Sequence, residues 1–397
     1  MKDYTTVIIG AGAAGMMCAA HAGGGCLVID HAKAPGEKVR ISGGGRCNFT
    51  NLHAAAENFL SQNPHFCKSA LSRYTQWDFV ELVDRHGIAW HEKTLGQLFC
   101  DDSSLQIIQM LLDEMAAAGA ELALRSEVTD IRHADGAFHL SVTSGTGAPP
   151  RVRCRNLVIA TGGKSIPKMG ASGFAYRVAE QFGLAVTPTR PALVPFTFGP
   201  DALEWIKPLS GVAVDTRTTA GAGSFDEAVL FTHRGLSGPA ALQISSYWQE
   251  GDEISVHLCP GIDPVATLKS ARQSGGRRDV ATVLADVLPK RLATHLAEDR
   301  GWSGNTADLS DHRIAEISAT LQNWRLKPTA TEGYRTAEVT LGGVDTAGLD
   351  SRTMQAREVP GLYFIGEGVD VTGWLGGYNF QWAWSSGWAV GTAIAGG

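Results

Sequence analysis

The residues best suited to chemistry stand at the start of the chain, where Gly10-Ala11-Gly12-Ala13-Ala14-Gly15 follows directly on Thr5-Thr6-Val7-Ile8-Ile9. The apolar run reads as a buried strand, and the three glycines have separate tasks. Gly10 makes a tight turn, Gly12 lets backbone amides approach a pyrophosphate, and Gly15 lets the next helix pack closely on its strand. The helix N-terminus then directs free N–H groups and the positive end of its dipole at the phosphates. A second apolar run, Cys26-Leu27-Val28-Ile29, ends on Asp30, where a carboxylate can accept a ribose hydroxyl. Strand, glycine turn, helix, strand and terminal acid in this order form a dinucleotide-binding βα unit.

Later stretches carry related chemistry. Ile41-Ser42-Gly43-Gly44-Gly45-Arg46-Cys47-Asn48-Phe49-Thr50-Asn51 joins three consecutive glycines to Arg46, Asn48 and Asn51, which are donors for phosphate or ring oxygens. Asn156-Leu157-Val158-Ile159-Ala160 runs into Thr161-Gly162-Gly163, again a buried strand meeting a small-residue turn. Gly163-Lys164-Ser165 is not the tail of a triphosphate loop, because the first glycine of that motif would have to replace Val158. Near the other end lie Gly366-Glu367-Gly368-Val369-Asp370 and Gly373-Trp374-Leu375-Gly376-Gly377-Tyr378-Asn379-Phe380-Gln381. The latter opens a helix whose amides face an electron-rich ligand atom. His233 and Arg234, in the glycine-rich turn Leu230 to Pro239, are the catalytic candidates, with capping and surface charge as the competing role.

Elements that could position these groups follow from periodicity. Helical spacing runs from Phe66 to His86, from Ser103 or Ser104 to Gly119, and from about Gly377 to Ala395. Strand-like runs cover Glu121 to Ile131, Ala137 to Thr143 and Arg151 to Ala160. Between Arg190 and Gly333 the texture changes, which marks an insert. Prolines punctuate short strands at Leu193 to Phe198, Gly211 to Thr218 and Glu253 to Leu258. Helical patterns then follow at Ala240 to Trp248, Pro264 to Arg272, Val280 to Leu296 and Asp311 to Leu321.

Bulk properties narrow the classes. A chain of 397 residues, 44% hydrophobic and 19% charged, has the composition of a globular enzyme. The formal charge of −6 and pI near 6.1 disfavour broad attraction to nucleic acid, so a small-molecule substrate and no nucleic-acid partner are expected. Seven scattered cysteines without a CxxC pair indicate reduced thiols, no structural metal and no dithiol relay. With no signal-like N-terminus and no long apolar window, the expected location is the cytoplasm, away from membranes.

Ile41 to Asn48, Phe231 to Pro239, Thr340-Leu341-Gly342-Gly343-Val344 and Gly376 to Gly387 together resemble the bacterial aminoacetone oxidase family of FAD-dependent oxidoreductases, over essentially the whole chain. The resemblance implies an α/β fold. An FAD-binding, Rossmann-like domain is built from both chain ends, 1–190 and 334–397, around an inserted β-barrel plus helical domain at 191–333, β-rich over 191–260 and helical over 261–333. It further implies FAD contacts at Gly10, Gly12, Ala13, Ala14, Gly15, Asp30, His31, Lys38, Gly44, Arg46, Cys47, Asn48, Thr161, Gly162, Gly163, Gly366, Gly376, Gly377, Tyr378 and Asn379. Val128 resembles the position whose backbone meets adenine, and Glu367 and Asp370 the acids at the ribityl or pyrophosphate part. Asp30 departs from the commoner Glu, shortening the reach to the ribose.

The expected function is an FAD-dependent oxidoreductase for a small organic molecule, either a reductase using NAD(P)H or an amine-type oxidase using oxygen. No second GxGxxG follows a strand, so NAD(P)H would serve as a transient co-substrate at the flavin face. The competing classes are a flavin-carrying redox sensor and an RNA-modifying flavoenzyme, the latter disfavoured by the acidic pI.

Overall fold

Val7, Ile8, Val28, Ile29, Leu157 and Val158 are all fully buried, because the strands that carry them run parallel at the centre of a sheet covered on both faces. The computed structural model describes residues 1–144, 149–275 and 277–396. It divides into two units, Met1–Arg190 with Val339–Gly397, and Pro191–Glu338. The second unit runs on through Glu338, past the border at 333, because the Glu338 amide donates to the Leu193 carbonyl oxygen at 3.2 Å.

In the first unit the sheet has seven strands, ordered Glu121–Ala123, Cys26–Ile29, Lys2–Ile9, Arg151–Ile159, Ala137–Ser144 and Ser126–Ala134, with Leu362–Phe364 branching from Arg151–Ile159. The strand Arg151–Ile159 is forked. Its first half pairs antiparallel with Ala137–Ser144, and its second half pairs parallel with Leu362–Phe364. The fork brings the C-terminal segment to the same sheet end as the glycine turn.

The helix Tyr378–Ala395 completes the junction by crossing the helix Ala13–His21. A side chain at Gly387 would lie 2.5 Å from the Ala14 carbonyl oxygen, and one at Gly391 would lie 2.6 Å from that of Cys18. Two glycines four apart on one helix face thus let two backbones touch. Trp382 and Trp384 of this helix are core: Trp384 stacks on Phe79 with centroids 4.3 Å apart and donates to the Phe49 carbonyl oxygen.

Several periodic runs are interrupted where local chemistry outweighs the pattern. The run from Phe66 to His86 is two helices, Lys68–Arg73 and Gln76–Arg85, because Thr75 caps the second in a reciprocal box with Asp78. The run from Glu121 to Ile131 breaks at Arg125, which takes a positive φ of 51°. Pro289 separates Val280–Leu284 from Lys290–Asp299.

The second unit holds an antiparallel sheet in the order Trp324–Leu326, Ile254–His257, Ala213–Ala220, Gly223–Thr232, Gly235–Ser237, Phe196–Thr197, Ala330–Thr331. Its two outer strands are successive in the chain, so residues 327–329 tether the edges to within about 14 Å and the sheet must curl toward a barrel. The helices from Pro264 to Gln322 form one excursion between two neighbouring strands. No helix among the described residues is long and apolar enough to cross a membrane.

Gly387→Ala should destabilise the protein by about 1–3 kcal/mol in denaturant titrations, through overlap with Ala14, although alanine favours an isolated helix by about 1 kcal/mol. A gain in stability would contradict the helix contact.

Candidate functional site

The glycines of the first unit fall into two kinds. At Gly15 a side chain would overlap the Gly10 carbonyl oxygen, and at Gly10, where φ is +112°, it would lie 2.5 Å from the Ala160 carbonyl oxygen. These are packing glycines. At Gly12 and Gly44 a side chain would meet nothing within 4 Å, so the backbone there faces open space. Gly12 is also the N-cap of the helix Ala13–His21, with no side chain capping it. Its free first-turn amides beside open space are the arrangement that receives a pyrophosphate. The residues present therefore fit a dinucleotide.

Asp30 does more than offer an acceptor. Its Oδ2 accepts from the Ala11 amide at 2.6 Å and its Oδ1 from the Ala32 amide at 2.8 Å, so the shorter acid clamps the glycine turn to the second strand. A carboxylate has about four acceptor positions, which leaves capacity for a ribose hydroxyl. His31 is exposed, with Nδ1 3.6 Å from Asp30 Oδ1 and its ring where a Gly170 side chain would stand. Val128 is buried on the strand Ser126–Ala134, whose Ser126 amide donates to the Asp30 carbonyl oxygen at 3.0 Å.

Glu367 is engaged differently from the expectation of a direct ribityl or pyrophosphate contact. Its carboxylate accepts from Lys38 Nζ at 2.7 Å, Ser165 Oγ at 2.9 Å and the Thr340 amide at 3.0 Å, and Lys38 Nζ also donates to Ser165 Oγ at 2.6 Å. A carboxylate next to an ammonium forms its strongest hydrogen bond there. The four groups, drawn from distant parts of the chain, pin the turns at 161–163 and 366–368 together. A side chain on Gly163 would strike Thr340 Oγ1, whereas Gly162 has only Glu367 Oε2 nearby, at 3.8 Å. The Thr161 hydroxyl is buried without a hydrogen-bond partner among the described residues. Gly366 lies over Ala14, accepts from Trp382 Nε1 at 3.0 Å and donates to Ser386 Oγ at 3.1 Å.

Asp370 turns elsewhere. It is 3% exposed and accepts from the Gln62 amide at 2.9 Å. Burial pushes its carboxyl above the usual range, Asp345 adds to the rise, and the Gln62 amide and the Ser61 hydroxyl oppose it. Cys47 is fully buried, and burial pushes its thiol up to about 12.

Arg46, by contrast, is exposed. The Asn48 amide lies 3.2 Å from that of Gln97, and Asn51 Nδ2 donates to the Gly376 carbonyl oxygen at 2.9 Å. Gly377, at φ +96°, has no room for a side chain against the Thr50 carbonyl oxygen. The segment 48–51 thereby fixes the start of the C-terminal helix. Tyr378 is buried edge-on to Phe59. Asn379 is occupied locally, bonding both the amide and the carbonyl oxygen of Gly373. His233 and Arg234 form the tip of the hairpin between Gly223–Thr232 and Gly235–Ser237 in the second unit, with Arg234 Nε 3.6 Å from Glu332.

Sequence reasoning missed Ser165, Thr340 and Gln97. Ser165 stood in view as part of the rejected phosphate loop, and Thr340 in a motif read only by resemblance. Gln97 gave no signal, because its role comes from a hairpin partner.

Among known proteins, a family model described as the HI0933-like protein Rossmann domain matches residues 4–393. A protein of Escherichia coli (strain K12) named ribosomal RNA dihydrouridine synthase is 55% identical over 98% of this chain and 97% of its own length. One of the same name from Haemophilus influenzae is 47% identical over the full length of both. The crystal structure of a 3-ketosteroid-delta4-(5alpha)-dehydrogenase from Rhodococcus jostii RHA1 superposes with a TM-score of 0.53 at 14% identity, covering 99% of this chain and 97% of that one, a likeness of fold. These findings correct two expectations. These two relatives of 55% and 47% identity do not carry the aminoacetone oxidase name that the motifs resembled. They are named for RNA, which overturns the exclusion of nucleic acid and the assignment of a small-molecule substrate. The exclusion failed because a net charge of −6 sums the whole surface and says nothing of a local patch.

Two outcomes test this geometry. A double-mutant cycle of Lys38→Met and Glu367→Gln should give a coupling of about 1 kcal/mol in unfolding free energy, and additive single effects would dismiss the pair. Asp370 has a folded pKa above its unfolded one, so the folded state binds the proton more tightly and stability falls as pH rises through that window. Asp370→Asn should remove this decline between acid and neutral pH in denaturation curves; an unchanged slope would assign it to another group.

Proposed function

The chain belongs to the HI0933-like Rossmann family, and on that footing we propose that it is an FAD-dependent enzyme that reduces uracil in ribosomal RNA to dihydrouracil. The observation that carries the reading is 55% identity to a ribosomal RNA dihydrouridine synthase, over 98% of this chain. The cradle described above supports it: open backbone at Gly12 and Gly44, a helix N-terminus, and an acid at the end of the second strand.

Saturating the C5–C6 bond of uracil adds a hydride and a proton. C6 is the electrophilic carbon, because the C4 carbonyl withdraws electrons through the double bond, and the proton completes C5. FAD, when bound, supplies hydride-transfer chemistry, with NAD(P)H as the proposed source of electrons. The work of the protein is placement. Amides at the start of Ala13–His21 would hold the pyrophosphate, and Asp30 would orient the ribose. Lys38, Ser165 and Glu367 hold the central turns in register. The amides that open Tyr378–Ala395 would offer positive potential to the flavin ring system.

Purified protein should be yellow and retain FAD. rRNA from a strain lacking this gene should acquire dihydrouridine, measured by nuclease digestion and mass spectrometry, when incubated with the holoenzyme and NADPH or NADH. Colourless protein that takes up no FAD, or rRNA left unchanged under both donors, would refute the reading.

A further inference from the structure

One strip of surface beside the cradle is not explained by holding a dinucleotide. Leu95 stands at the tip of the hairpin formed by Trp90–Glu92 and Gln97–Cys100, 59% exposed, with a positive φ of 52° that leucine rarely adopts. The tip is not loose. Asn51 Nδ2 donates to the Leu95 carbonyl oxygen at 3.1 Å and to the Gly376 carbonyl oxygen at 2.9 Å, so a single buried amide fixes the backbone of this residue relative to the start of the C-terminal helix. An exposed leucine in an unfavourable backbone conformation, braced from beneath, adds nothing to the core.

The surroundings suit a nucleic-acid strand. Lys93 places Nζ 5.5 Å over the Phe99 ring, and Gly43 packs against that ring, leaving no room for a side chain of its own. Arg46 follows on the same glycine loop and is exposed. The neighbouring acids are occupied: Glu92 accepts from the Gly96 amide at 3.1 Å, and Asp101 lies 2.6 Å from His91 Nδ1. Neither Lys93 nor Arg46 has a carboxylate within ion-pair distance among the described residues, so both charges are available to a phosphate. A flat glycine loop, an apolar point and unpaired cations are the components of a surface that binds single-stranded RNA and holds open the gap left by an extruded base.

We infer that the hairpin tip at 93–96 and the loop Gly43 to Arg46 form the RNA-docking strip of this enzyme, with Leu95 as the wedge that occupies the stack vacated by the target uracil. The inference rests on the proposed function and names the surface through which that site is reached. Lys93 contributes phosphate attraction, and Leu95 contributes stacking that salt does not screen.

The test separates the two contributions. Holoenzyme, Lys93→Ala and Leu95→Ser, each with wild-type flavin content as the check of folding, are titrated with a fluorescent single-stranded oligouridine across a range of salt concentrations. Dihydrouridine formation on unmodified rRNA is measured in parallel. Lys93→Ala should weaken binding and reduce the slope of log K against log salt by about 0.7. Leu95→Ser should leave that slope unchanged while weakening binding and raising KM for rRNA about tenfold. If wild-type enzyme forms dihydrouridine and both variants bind and turn over as it does, the strip is not the docking surface. If the wild type neither binds nor reduces RNA, the proposed function fails and the inference with it.

Discussion

The architecture of the first unit depends on a contact that only glycine permits. Gly387 and Gly391 bring the last helix onto the carbonyl oxygens of Ala14 and Cys18 in the first. With that approach, Gly366 settles over Ala14, and the turns at 10–15, 161–163 and 366–368 converge at one end of the parallel sheet. Without it, the strand Leu362–Phe364 would still pair with Leu157–Ile159, but the helix that carries Trp382 and Trp384 into the core would stand off. The cradle is thus a consequence of close backbone packing between elements at opposite ends of the sequence.

On this frame, polar groups act mainly on one another. Asp30 clamps the glycine turn, and Asn51 bridges a hairpin tip and a helix start. Glu367 gathers Lys38, Ser165 and Thr340. Each satisfies backbone or side-chain donors that would otherwise be costly to bury. Open space beside the backbone is left at Gly12 and Gly44. This division explains how a site can hold a large anionic cofactor while its acids stay engaged within the protein.

The nucleotide unit was legible because its signals are local: an unbroken apolar strand, glycines at fixed spacing and an acid at the next strand end. The twofold origin of the first unit, from both chain ends, came from resemblance to a family. The strand Gly223–Thr232 escaped notice because SFDEAVLFT, after the glycine, does not alternate: two acids stand together and four apolar residues follow, so no period of two marks it. Helix breaks at Thr75 and Pro289 were overrun by periodicity that continues across them. The Lys38–Glu367 pair lay out of reach, since residues 329 positions apart leave no mark in spacing. RNA was disfavoured for a different reason: a total of 34 basic against 40 acidic side chains does not tell where those charges lie.

The central claim is that electrons held by a flavin in this cradle pass to uracil in RNA. An anaerobic single-turnover experiment addresses it directly: holoenzyme is reduced with one equivalent of NADPH, mixed with unmodified rRNA, and followed by flavin absorbance and by mass spectrometry of the digested RNA. The account predicts that the flavin band returns and that each flavin reoxidised yields one dihydrouridine. A flavin that remains reduced in the presence of rRNA, or one that reoxidises without dihydrouridine appearing, would contradict it.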